Sequence, residues 1–153
     1  MKIVGIDDGR QKSLYTEKVL RRLPDWFGIE TALADYVAGV SKLPFWVAMD
    51  GDDCVGVAAV KIHHGHTGEI YVMGILPEYH RRGIGMQLME AADIYFKGNG
   101  CKYVVVKTLS ALVKSNHYHR TRKFYLSVGF EPLITLTEVW DEDNPCLIMI
   151  KRI

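Results

Sequence analysis

Cysteine is scarce in this chain and badly placed for crosslinks. Cys54, Cys101 and Cys146 are odd in number, widely spaced and set among apolar residues. This excludes a disulfide framework and reads as reduced, mostly buried thiols, the state expected of a cytoplasmic protein. None sits in an electropositive turn, so no catalytic thiol is expected. Long apolar runs are missing too: none approaches the roughly 20 residues of a membrane-spanning helix, and partners in a membrane are not expected. The opening residues, Met1 to Asp8, lack the apolar length of a secretion signal. Charge of one sign is not in excess. The formal net charge is +1, so nothing global favours nucleic acid, and any attraction for anions has to be local. Repeats, linkers and low-complexity segments are absent.

What is there is an ordinary globular composition, with 48% hydrophobic and 24% charged residues in 153. That length reads as one domain, 1–153, able to bury roughly 70% of its unfolded surface. A short strand opens the chain at 3–6. Helices are predicted at 13–23, with Leu14, Val19, Leu20 and Leu23 inward, and at 31–40, with Leu33, Tyr36, Val37 and Val40 on one stripe. Strands follow at 45–49, 54–63 and 69–76, with turns at 50–53 and 64–68. A helix from Gly83 turns Ile84, Leu88, Ala92, Tyr95 and Phe96 inward, and Gln87, Glu90, Asp93 and Lys97 outward. The β-branched run at 103–107 reads as a central strand, followed by a helix at 118–128 and strands at 131–139 and 146–150. The order predicts an α/β fold: a mixed, mostly antiparallel sheet with helices on both faces.

The most informative stretch runs from Pro77 to Met86, Pro-Glu-Tyr-His-Arg-Arg-Gly-Ile-Gly-Met. Pro77 ends a strand because it lacks an N–H for the ladder. Two arginines and a Gly-x-Gly then open a helix, whose N-terminus presents unpaired N–H groups and a partial positive charge. This is a phosphate-binding turn. It is not a Walker A loop, which needs Gly-Lys-Ser/Thr where Gly85 is followed by Met86 and Gln87. Nor is it a dinucleotide fingerprint, which needs a third small residue where Leu88 stands.

The turn instead resembles the pyrophosphate motif of the GNAT superfamily of acetyl-coenzyme A-dependent N-acetyltransferases, Arg/Gln-x-x-Gly-x-Gly/Ala after a strand. A second stretch, residues 122–130 (Arg-Lys-Phe-Tyr-Leu-Ser-Val-Gly-Phe), resembles the later helix of that family, Phe/Leu-Tyr-x-x-x-Gly-Phe. The predicted element order matches the family from end to end. Two departures are visible. His80 stands where the family shows Gln or Arg, and it can still donate to phosphate. Tyr118 and Thr121 replace the Asn and Ala found seven and four residues before the helix tyrosine. Tyr118 is two turns from Tyr125 on the same helix face and could offer a stacking or hydroxyl contact where the Asn is missing.

The resemblance implies the site. The turn His80, Arg81, Arg82, Gly83, Ile84, Gly85 and Met86 holds the pyrophosphate. Backbone amides of Met73, Gly74 and Ile75 take the thioester and pantetheine, with the N–H of Ile75 or a neighbour facing the oxyanion. Tyr125 is the general acid for the departing thiolate. Glu69 is the candidate base, with a water chain as the rival. By strict alternation Glu69 shares a strand face with Tyr71, Met73 and Ile75. Gly74 is consistent with a bulge or close backbone approach.

His63, His64 and His66 do not read as a metal site, since neighbouring strand residues point to opposite faces and no carboxylate or cysteine cluster completes a set. The acceptor is expected to be an amine of a small molecule or a protein. Trp26, Phe27 and Tyr36, with the acidic run after Trp140, suit a cation. A homodimer agrees with the habit of the superfamily. The alternative is a coenzyme A-binding sensor or regulatory module without turnover.

Overall fold

The computed structural model describes residues 1–153. Strand β1 (Lys2–Gly5) leads to helices α1 (Gly9–Leu20) and α2 (Glu30–Gly39), then β2 (Phe45–Asp50), β3 (Asp53–His63) and β4 (Thr67–Ile75). Helix α3 (Ile84–Gly98), β5 (Tyr103–Leu109), α4 (Asn116–Ser127), β6 (Glu131–Asp141) and β7 (Asn144–Arg152) complete the chain. This is a mixed α/β fold with a mostly antiparallel sheet, as the order of elements predicts. No helix is long and apolar enough to cross a membrane.

Two compact units are resolved. The first comprises Met1–Lys61 and Ile70–Tyr95. Its strands run in the order β1-β2-β3-β4. Its core packs Val19, Leu20, Leu33, Val40, Val47, Val57, Ile84 and Leu88, all 3% exposed or less. Each such side chain contributes about 1.5–3 kcal/mol by leaving water. The second unit comprises Ile62–Glu69 and Phe96–Ile153. Here β7 lies between β5 and β6, antiparallel to both.

The first helix begins four residues earlier than its apolar pattern predicts. Asp8 caps it, its carboxylate accepting from the N–H of Gln11 at 2.9 Å. The polar first turn carries no hydrophobic signal, so periodicity missed it. Starting there sets the phase: Lys12, Thr16, Val19 and Leu20 are buried, whereas Leu14, expected inward, is 60% exposed. Lys12 is tolerated inside because its ammonium donates to the Leu43 carbonyl at 2.6 Å.

Three smaller expectations are corrected. β6 and β7 approach to within a two-residue turn, closed by Asp141 Oδ1 accepting from the N–H of Asn144 at 2.9 Å, where strands ending at 139 and starting at 146 are predicted. Helix α4 starts at Asn116 rather than Tyr118, with Ser115 accepting from the Tyr118 N–H. Asp93, expected outward on α3, is half-buried.

Candidate anion turn and acyl-transfer site

Strand β4 does not alternate regularly, and the irregularity falls where the sequence points. On β2, Trp46 meets Tyr95 of α3 edge-on at 5.6 Å, so Trp46 and Ala48 mark the α3 face. Their β3 partners, Ala58 and Gly56, share that face. A Cβ added at Gly56 would lie 3.3 Å from Ile75 Cγ1, so Ile75 also points to the α3 side. Tyr71 points the other way. Its ring meets Tyr36 of α2 at 5.3 Å and carries the ammonium of Lys61, three residues on from Ala58 and hence on the opposite face.

Gly74 lies against Val19, Leu20 and Leu23, on the side of α1. Tyr71 and Gly74 therefore share a face although three residues apart. One surplus residue between them accounts for this, and a β-bulge is the form such an insertion takes in a strand. The expectation of a common face for Glu69, Tyr71, Met73 and Ile75 fails at Ile75 for this reason.

Beyond β4 the chain enters a single 3-10 turn, Pro77–Tyr79. His80 closes it. Its N–H donates to the Pro77 carbonyl at 3.1 Å, and its Nε2–H donates to the Ile75 carbonyl at 2.7 Å. Both donors face protein carbonyls, so His80 shapes the turn and ties it to the end of β4. Trp26 packs edge-on against the imidazole at 5.6 Å. Arg81 adopts φ 61° and Gly83 φ 78°, two left-handed residues within a span of three. Such alternation gathers successive N–H groups into an anion-binding concavity.

The first helical bond of α3 runs from the Gln87 N–H to the Gly83 carbonyl at 3.1 Å. The N–H groups of Ile84, Gly85 and Met86 come before it and have no carbonyl within the helix. Ile84 anchors the helix start, 2% exposed, while Met86 is 59% exposed. The guanidinium groups of Arg81 and Arg82 are exposed and form no ion pair with a carboxylate. Arg82 lies over the Tyr79 ring at 5.0 Å. Tyr79 donates to Asp50 at 2.6 Å, and that bond holds its phenol above the ordinary range.

In the second unit, Glu69 is a buried carboxylate, 7% exposed. Its Oε1 is 2.6 Å from His63 Nε2 and its Oε2 is 3.8 Å from Lys107 Nζ. Sequence reasoning singled out Glu69 and missed both partners. The turn at His64–His66, left-handed at His64 and Gly65, brings the ends of β3 and β4 together, and Lys107 comes from β5. Tyr125 of α4 is also 7% exposed, packed edge-on against Phe130 at 5.5 Å and beside Phe124. Tyr118 stands two turns earlier on the same helix. Arg122 fastens α4 to β5 by donating to the Leu109 carbonyl at 2.6 Å. The Thr108 hydroxyl on β5 is buried without a partner, a residue no motif indicated. The three thiols are buried, and burial pushes Cys54 up to about 11 and raises Cys101 and Cys146. No group of three or more His, Cys, Asp or Glu side chains is placed to hold a metal.

Residues 41–132, more than half of the chain, match the family described as Acetyltransferase (GNAT) domain. A mycothiol acetyltransferase of Saccharopolyspora erythraea is 35% identical over 63 residues, which cover 40% of this chain and 21% of that protein. The match thus spans about a fifth of the curated relative. Among solved structures, the aminoglycoside 6'-N-acetyltransferase from Enterococcus faecium superposes with a TM-score of 0.76 at 19% identity, covering 99% of this chain and 97% of that one. A GNAT family acetyltransferase from Elizabethkingia anophelis with acetyl-CoA bound gives 0.66 at 15% identity, covering 86% and 88%. At such identities these two show a shared fold.

Proposed function

The chain belongs to the GNAT acetyltransferase family, and from that membership we propose that it transfers an acetyl group from acetyl-coenzyme A to a primary amine by direct attack on the thioester. One observation carries the reading: the turn at 80–86. It offers free amides at Ile84, Gly85 and Met86, a left-handed Gly83 and two unpaired arginines, all at one helix N-terminus. A diphosphate fits this chemistry. Each hydrogen bond to a charged oxygen is worth about 1.5–3 kcal/mol, and the helix dipole adds about 0.3–1 kcal/mol.

The remaining steps of the proposal use the chain's own residues. Held by its diphosphate, the cofactor extends along β4, where the bulge leaves amides near Met73, Gly74 and Ile75 for pantetheine and the thioester carbonyl. An amide aimed at the carbonyl oxygen stabilises the oxyanion that forms as the amine attacks. An alkylammonium with a pKa near 10 must first lose a proton, at a cost of about 4 kcal/mol at pH 7. Glu69 takes that proton through water, and its contact with His63, whose side chain is 45% exposed, leads the proton out to solvent. The Tyr125 hydroxyl protonates the departing thiolate, and Tyr118 lines the pantetheine arm. A cytoplasmic setting accords with three buried free thiols.

The acceptor is a small-molecule amine or a protein amine. Release of free thiol from acetyl-coenzyme A across a panel of amines tests the reading. Binding of coenzyme A with no turnover on any amine would favour the sensor, for which the missing helix Asn is the specific observation. No heat on titrating coenzyme A would refute both.

A further inference from the structure

The ammonium group of a lysine already sits on the aromatic cluster of β4 and α2. Phe27, Tyr36 and Tyr71 form a chain of edge-on contacts, 5.8 Å between the first two rings and 5.3 Å between the last two. The Lys61 ammonium lies 4.2 Å from the centre of the Tyr71 ring. All four side chains are partly buried, neither sealed in the core nor open to water. No carboxylate pairs with Lys61, so the face of the ring is what holds its charge. The tyrosine is pressed deep because Gly39, at the end of α2, has no side chain: a Cβ there would collide with the Tyr71 hydroxyl.

The position matters as much as the chemistry. Tyr71 precedes Met73 by two residues on the same strand, so its backbone lies within about 7 Å of the amides assigned to the thioester. A cation held there is close to where an attacking amine must come. The lysine is also of the right kind, a primary alkylammonium on a flexible stem.

We propose that Phe27, Tyr36 and Tyr71 form the seat for a primary alkylammonium group of the acceptor. Lys61 keeps that seat with its own ammonium until an acceptor displaces it. The proposal rests on the acetyl-transfer reading for the role of the ligand, whereas the seat itself is a binding site that can be measured without turnover. A tethered competitor lowers affinity for every free amine, and it selects for acceptors with a second anchoring group elsewhere.

The test is calorimetry with n-butylammonium chloride on the full chain, with no acetyl-coenzyme A present. Lys61→Met should bind the probe about tenfold more tightly than the unmodified chain, while Lys61→Arg should leave the affinity as it was. In the Lys61→Met background, Tyr71→Phe should keep binding because the ring persists, and Tyr71→Leu should lose it. The uncharged analogue 1-butanol should give no heat with any of them. Equal affinity for the unmodified chain and Lys61→Met overturns the proposal. So does undiminished binding by a Tyr71→Leu variant, or no binding by any form. Circular dichroism melts of each variant identify one that has failed to fold. If butylammonium binds as described while no amine is acetylated, the acetyl-transfer reading falls and the seat stands. Acetylation unaffected by Lys61→Met and Tyr71→Phe, with no probe bound, gives the reverse.

Discussion

His80 and Ile75 are joined by a 2.7 Å hydrogen bond from imidazole Nε2–H to a backbone carbonyl, linking the turn at 80–86 to the last residue of β4. This contact fixes the distance between the two places where a cofactor would be gripped. His80→Ala removes it and should weaken coenzyme A binding severalfold, in line with about 1 kcal/mol for one hydrogen bond. His80→Gln keeps a donor and should recover part of the loss. Titration calorimetry checks both. Equal affinity for all three proteins would leave the histidine with a packing role against Trp26.

Gly83 and Arg81 make opposite predictions about strain. At Gly83 a side chain would meet nothing within 4 Å, so only the φ of 78° resists substitution. Gly83→Ala should destabilise by about 1–2 kcal/mol and lower coenzyme A affinity. Arg81 already bears the left-handed penalty at φ 61°. Arg81→Gly should therefore raise the melting temperature while weakening the cofactor through the lost charge. Thermal melts with and without coenzyme A separate the two effects.

Tyr125 and Glu69 are distinguished by what each variant spares. Tyr125→Phe should lower kcat at least about tenfold with coenzyme A affinity similar, since one transition-state donor is lost. Glu69→Gln should alter the pH–rate profile, because a buried carboxylate between His63 and Lys107 becomes a neutral amide. An unaltered profile would transfer the proton to a water chain with no single base.

The buried thiols predict alkaline sensitivity. Burial pushes Cys54 from 9.0 up to about 11, so the unfolded chain ionises first as pH rises. Stability is then intact below about pH 9 and declines between about 9 and 11, by roughly 2–3 kcal/mol for a two-unit shift. Cys54→Ala should flatten this part of the curve, although the small cavity it leaves costs some stability at every pH. Denaturant midpoints measured at several pH values decide it.

The turn was legible in sequence because every feature it needs is local: a proline to end the strand, arginines, and glycines at the helix start. The same holds for Gly74, whose missing side chain hinted at a bulge. Contacts that depend on the strands finding each other were not legible. His63 and Lys107 reach Glu69 from two different strands, and nothing in the composition of either marks it. Helix α1 was misread for a different reason. Its first turn is polar, and the spacing of Asp8 and Gln11, a capping signal, was passed over in favour of periodicity. Leu14 then looked like a core residue, although the helix turns it to solvent.

The surplus residue of β4 has an evolutionary corollary. Deleting one position between Tyr71 and Gly74 would let the strand zip evenly with its neighbours, giving a sounder ladder and a sturdier molecule. That molecule would lose the amides that the proposed reading assigns to a thioester. On the acetyl-transfer reading, the irregularity serves the thioester rather than the ladder.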